Sequence, residues 1–193
     1  MGWNEQTRTG NPTRSTQVNN LIKRIRKLEV RKKGKPPQAR RAMEQGEFTE
    51  LVTRLRKMQE AKGKYTAAAF FIFQYNMIGR VDDVANFKME DLTPCVEYPF
   101  CLQSKMCWSK NVLDERDAPN QILLGAADPN FCVLLALAIH LEHQLGNGGI
   151  DLAADKRFLF GIKKGVAAKF FNDTVGMEDF VMLARGQLGT HSI

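Results

Sequence analysis

Ile78-Gly79-Arg80-Val81-Asp82-Asp83-Val84-Ala85-Asn86-Phe87-Lys88-Met89-Glu90-Asp91-Leu92 sits between two stretches of opposite character. Upstream, Tyr65 to Met77 is rich in Ala and Phe and almost free of charge, so it predicts a buried helix. Arg80 follows that helix directly. A guanidinium in such a place needs a counter-charge or an anion. Asp83, at i,i+3, would supply the first; the alternative is that the planar fork is presented to a ligand. Val81 to Phe87 then reads as a short helix. From Leu92 to Ala126 the chain changes: Pro94, Pro99 and Pro119 punctuate β-favouring runs at Phe100 to Trp108 and Gln121 to Leu124. Two or three short antiparallel strands are expected there.

Further out, helical periodicity returns on both sides. Phe48, Leu51, Val52, Leu55 and Met58 predict a helix starting at Glu47, and Phe131 to Leu145 predicts a buried one closed by Gly146-Asn147-Gly148-Gly149. Arg157 to Phe160 reads as one more short strand, with helices at Lys164 to Thr174 and Glu178 to Leu183. Near the N-terminus, Val18, Leu21, Ile22, Ile25 and Leu28 recur at steps of three and four, with Lys23, Arg24, Arg26 and Lys27 between them: an amphipathic basic helix. Arg31 to Arg41, with Gly34, Pro36 and Pro37 among six Lys/Arg, breaks it. The expected organisation is a disordered leader (1–16), a basic helix and linker (17–41), and a main domain (42–193). The fold class is mainly α with a small antiparallel β-hairpin or sheet insert, that is α+β.

The 193 residues carry a formal charge of +7, distributed unevenly. Residues 1–64 hold 17 Lys/Arg against 6 Asp/Glu, a net +11; the remaining 11 and 15 leave the rest at −4. Such an arm suits a polyanion, because each cation laid on a phosphate releases a condensed counterion. The residues expected on DNA are Lys23, Arg24, Arg26 and Lys27 in the helix, and Arg31, Lys32, Lys33, Lys35, Arg40 and Arg41 in the linker. No run approaches the ~18 apolar residues of a membrane span, and Trp3, Asn4, Glu5 and Arg8 do not form a signal-peptide core. A soluble intracellular protein with no membrane partner is expected. Cys95, Cys101, Cys107 and Cys132 contain no C-x-x-C pair and predict reduced thiols and no zinc. His140-Leu141-Glu142-His143 is one residue short of a metalloprotease helix and predicts a polar helix edge and no metal.

The segment around Arg80 resembles the first arginine box of the tyrosine recombinases and phage integrases: a small residue, Arg, an apolar residue, then an acid, two small or apolar positions, a large apolar one, and an acidic pair before the first strand. Arg80, Asp83, Val84, Phe87, Glu90 and Asp91 fall on these positions, and Leu188-Gly189-Thr190-His191 resembles the setting of the family's first histidine. Gly10-Asn11-Pro12-Thr13-Arg14-Ser15 through Arg40-Arg41 looks like the Crypton-type eukaryotic branch, in which a basic helix leads into the catalytic domain.

The resemblance implies a mobile-element protein, nuclear, acting on double-stranded DNA in recombination or integration, with possible self-association on DNA. In the family a tyrosine attacks the phosphodiester to give a 3′-phosphotyrosine, without metal or cofactor. Carried over, Arg80 clamps the phosphate, Asp83 orients it, His191 assists proton transfer, and a hairpin lysine protonates the leaving oxygen. Lys110 is the first choice for that lysine and Lys105 the alternative. Arginine forks neutralise charge developing on phosphate oxygens, and an alkoxide leaving group needs a positioned acid. The family's second arginine would follow Ser192-Ile193, and its nucleophile would lie beyond His191, whereas Tyr65, Tyr75 and Tyr98 all precede it. The expectation is a recombinase catalytic domain truncated before its nucleophile, inactive in strand cleavage, with the apolar faces of Tyr65 to Met77 and Phe131 to Leu145 partly uncovered. The non-enzyme readings are a DNA-binding module without chemistry, and a helical interaction protein whose basic helix docks on an acidic partner.

Overall fold

The structure is a computed structural model that describes residues 4, 6–7, 9–11, 13, 15–30, 40–58, 63–107, 118, 120–146, 158–183, 187–191 and 193. The chain divides into two compact units, 1–39 and 40–193. In the first, Asn4 Oδ1 accepts the N–H groups of Gln6 and Thr7, and Asn4 pairs with Thr9 across a single bridge. Helix α1 (Thr16–Val30) follows. It starts where it does because the Ser15 hydroxyl accepts the Val18 N–H at 3.3 Å, satisfying one of the amides a helix start leaves open.

The second unit is built around α3 (Lys64–Met77). Helix α2 (Gln45–Lys57) precedes it. The five-residue α4 (Val81–Ala85) and a 3-10 turn (Met89–Asp91) come next. Strands β1 (Leu92–Pro94), β2 (Leu102–Lys105) and β3 (Asn120–Leu123) form an antiparallel sheet in that order, with Leu92 opposite Ser104 and Lys105 opposite Asn120. Helices α5 (Val133–Gly146) and α6 (Lys164–Val175) complete the described elements. The architecture is mainly helical with a small three-stranded antiparallel sheet, an α+β arrangement.

Helix α3 is apolar on every side because α2, α5 and α6 all pack against it. Phe70, Phe71, Ile72 and Phe73 are fully buried, and Phe73 meets Phe87 at 4.8 Å and Phe160 at 5.5 Å between ring centres. The expected uncovered face of Tyr65 to Met77 is therefore corrected: neighbouring helices and the Phe158–Phe160 segment cover its core-facing residues. On α5, Val133, Ala136 and Leu137 are buried while Leu135 is 41% exposed.

Two expected elements are absent. Residues 158–160 form no strand; Leu159 donates one backbone bond to Phe87 O at 2.8 Å, and the adjoining Phe160 ring packs into the core. Residues 178–183 form no helix, because their bonds go to α2: Asp179 pairs with Arg54, the Leu183 N–H donates to the Glu47 carboxylate, and Phe180 lies under the Arg54 guanidinium. His140 also departs from the expected polar edge. It is fully buried, its Nε2 donating to Leu159 O at 3.0 Å and its Nδ1 facing the Thr66 hydroxyl at 3.2 Å. Gln144 donates to that same hydroxyl oxygen, so the Thr66 proton is free for Nδ1 and the imidazole is a satisfied neutral group. Burial lowers its pKa accordingly.

Candidate functional site

The C-terminal end of α3 sets the geometry. The Gly79 N–H donates to Gln74 O and the Ile78 N–H to Tyr75 O, which closes the helix in a Schellman-type turn. That turn needs one left-handed residue, and the position falls on Ile78 (φ 50, ψ 32). Gly79 must then pass close to the core: a Cβ there would lie 3.0 Å from Met106 Cε and 3.3 Å from Val84 Cγ2. The chain emerges at Arg80, the residue preceding α4, with extended backbone angles.

Asp83 is 5% exposed, and its carboxylate accepts the backbone N–H of Arg80 at 3.1 Å. This is half of a capping box, in which the third helical residue reaches back to the cap. The ion pair expected between the two side chains is not made. Arg80 is exposed, and its guanidinium has no hydrogen-bond or ion-pair partner among the described residues. Asp83 thus fixes where Arg80 leaves the fold while the fork stays open.

His191 reaches the same end of α3 from the far end of the chain. Gln74 Nε2 donates to Thr190 O at 2.7 Å, with both residues buried. The Arg41 N–H donates to Gln187 O at 3.1 Å, and Gly189 packs against the Arg40 side chain where a Cβ would collide. Thr190 is buried by these contacts and His191 is exposed. The end of β2 arrives there too: the Ser104 hydroxyl donates to Met77 Sδ at 3.1 Å, and Met106 lies against Gly79. Lys105 stands between these two inward residues and so projects from the other face of the strand. Lys110 lies outside the described residues. The backbones of Arg80, β2 and Thr190–His191 are thus gathered at one end of one helix.

Of the cations expected on DNA, Lys23, Arg24, Arg26 and Lys27 are exposed along α1, Arg40 is exposed in the second unit, and Arg31, Lys32, Lys33 and Lys35 lie outside the described residues. Arg41 is corrected. Its two terminal nitrogens grip the fully buried Glu47 carboxylate at 2.7 and 2.5 Å, so its fork is occupied by the fold itself. Sequence reasoning missed a second basic place beside α4. A cleft of about 500 Å³ is lined by Asp82, Asn86, Phe158, Ile162, Lys163 and Lys164. Lys164 is paired with Asp82, while Lys163 and the Phe158 ring are exposed. The adjacent Lys163-Lys164 pair before a helical pattern was the available signal.

Among the described residues no group of three or more His, Cys, Asp or Glu side chains is placed to hold a metal, and no helix is long and apolar enough to cross a membrane. Tyr75 is packed between Phe48 and Phe131, and Tyr65 stands at the opposite end of α3, edge-on to His143. Neither a scan against protein-family models nor a search of curated proteins finds a match.

Proposed function

We propose that this protein binds double-stranded DNA through its phosphate backbone, in the manner of a tyrosine-recombinase catalytic domain, with Arg80 as the principal phosphate contact of the second unit and His191 beside it. The observation that carries this reading is the open guanidinium of Arg80, held at its root by a buried carboxylate that leaves the fork unneutralised. A planar, permanently charged fork suits two phosphate oxygens at once. Support also comes from Gln74, which spends a buried amide on the Thr190 carbonyl and so brings the His191 segment to the helix end from which Arg80 departs. Strand exchange would need a nucleophile at that phosphate. Tyr65 is 12 positions from Met77, a distance of about 18 Å along the helix; Tyr75 meets the Phe48 and Phe131 rings with 43% of its surface exposed, and Tyr98 is 52% exposed between β1 and β2. The activity proposed for these 193 residues is binding to the DNA backbone.

Fluorescence anisotropy of a labelled duplex, measured against salt concentration, tests this. The parent should lose affinity steeply with salt, and Arg80→Gln should bind more weakly on every duplex sequence and lower the slope of log K against log salt by about 0.9. Affinity that ignores salt, or an Arg80→Gln variant with the parent's slope, refutes the reading.

A further inference from the structure

The apolar stripe of α1 is exposed. Leu21, Ile22, Ile25 and Leu28 are 56, 40, 46 and 47% exposed, and Val18 is partly exposed. Four of these five residues follow a heptad. The spacing of Val18, Leu21, Ile25 and Leu28 is three, four, three, which places Val18 and Ile25 at a and Leu21 and Leu28 at d. The types matter as much as the spacing: β-branched residues at a with leucine at d favour two parallel strands over three or four. Lys23, Arg26 and Lys27 then fall at f, b and c, the positions turned away from a partner, and Ile22 at e widens the apolar margin.

We propose that α1 is a dimerisation helix whose occupant is the α1 of a second copy of this chain, paired parallel and in register through Val18, Leu21, Ile25 and Leu28. An acidic partner groove would take the same apolar face, but it gives no reason for β-branched residues to alternate with leucine along the seam. The area sets the strength. Two heptads cover less than the roughly 800 Å² per partner of a standard stable interface, so the dimer is weak and concentration-dependent. Charge sets its salt response. Two basic helices side by side repel, salt screens that repulsion, and the dimer tightens as salt rises. Binding of the same cations to DNA weakens as salt rises. The opposite signs separate this inference from the DNA reading, on which it does not depend.

The test is the mass of the full chain in solution, followed by sedimentation up to about 1 mM, where weak dimers populate, at roughly 0.1 and 0.5 M salt. The expected result is a rise from the 21.8 kDa of one chain toward twice that value, larger at the higher salt. Leu21→Lys and Leu28→Lys should return the chain to monomer. Asn20→Lys, which adds the same charge at an outward c position, should leave the mass unchanged. Register is read by oxidising Leu21→Cys protein and mapping the linked peptides: a disulfide joining the two introduced thiols is expected. A monomer throughout, a dimer indifferent to Leu21→Lys, or a mixed disulfide between Leu21→Cys and Leu28→Cys chains in preference to the symmetric one overturns the proposal.

Discussion

Ile78 is a β-branched residue in the left-handed region, at φ 50, with 90% of its surface exposed. A Cβ in that conformation crowds the following carbonyl at a cost of about 1–2 kcal/mol, and so exposed a side chain recovers little of it by packing. Glycine or asparagine is the ordinary occupant of such a helix end. The strain lies two residues before Arg80 and fixes the direction in which the chain leaves α3. Replacing Ile78 by Asn, which tolerates this backbone, should stabilise the protein by about 1 kcal/mol in denaturant titrations with an unchanged m-value. A less stable variant would mean that the exposed isoleucine makes a contact that this backbone geometry does not explain. The sequence pointed to Arg80 and Asp83 as partners, and they are, but through the wrong atoms. Arg80 sits in the cap slot, where the carboxylate three residues on lies over the backbone N–H and the cap's own side chain projects off the helix. An arginine in place of the usual Ser or Thr hides the capping box from a pattern search.

At the scale of elements, Glu47 ties together parts of the fold that periodicity cannot connect. Its buried carboxylate accepts two bonds from Arg41, one from the Glu44 N–H and one from the Leu183 N–H, joining the entry to α2 with the segment that follows α6. The Arg41 guanidinium, more than any other cause, holds the Glu47 carboxyl down at about 2. Because the folded pKa is depressed, the ionised form is the one folding favours. The stabilisation is therefore complete above the ordinary glutamate value near 4.5 and is lost as pH falls through that value toward 2. Acid titration of stability should show this loss, on the order of 2–3 kcal/mol. Glu47→Gln should be less stable by about 3 kcal/mol at neutral pH, since it leaves Arg41 without its charge partner, and should flatten the acid limb between pH 4.5 and 2. An acid limb unchanged in Glu47→Gln would assign the loss to other carboxylates. Helices α1 and α2 were legible because each writes an apolar face at steps of three and four, and α3 and α5 because a long apolar run almost free of charge predicts a buried helix. Residues 178–183 and 187–191 were not, because they are held by Glu47, Arg54 and Gln74, more than a hundred positions upstream.

For the molecule as a whole, the burial around α3 bears on cooperativity. Its rings interlock with residues from α2, the turn after α4, the 158–160 segment and α6, for example Phe71 with Phe171 and Phe70 with Phe160. A core shared this widely unfolds together, so calorimetry should give one sharp transition for the second unit, and a broad melt with dye binding before it would contradict the packing. Charge is the other property of the whole chain, and it separates the units: residues 1–39 hold 10 Lys/Arg against 2 Asp/Glu, a net +8, while residues 40–193 hold 18 against 19, a net −1. If both units touch one duplex, their contributions to the salt slope add, because each neutralised phosphate releases its own counterions. Changing Lys23, Arg24, Arg26 and Lys27 together to Gln keeps good helix formers on an exposed helix, so the melt of the second unit should not move. The slope should fall by up to about 3.6, four contacts at ~0.9 each, against about 0.9 for Arg80→Gln. Combining the two sets of changes should give the sum. A slope that drops only with Arg80→Gln would remove the arm from the DNA contact and leave α1 to its apolar face alone.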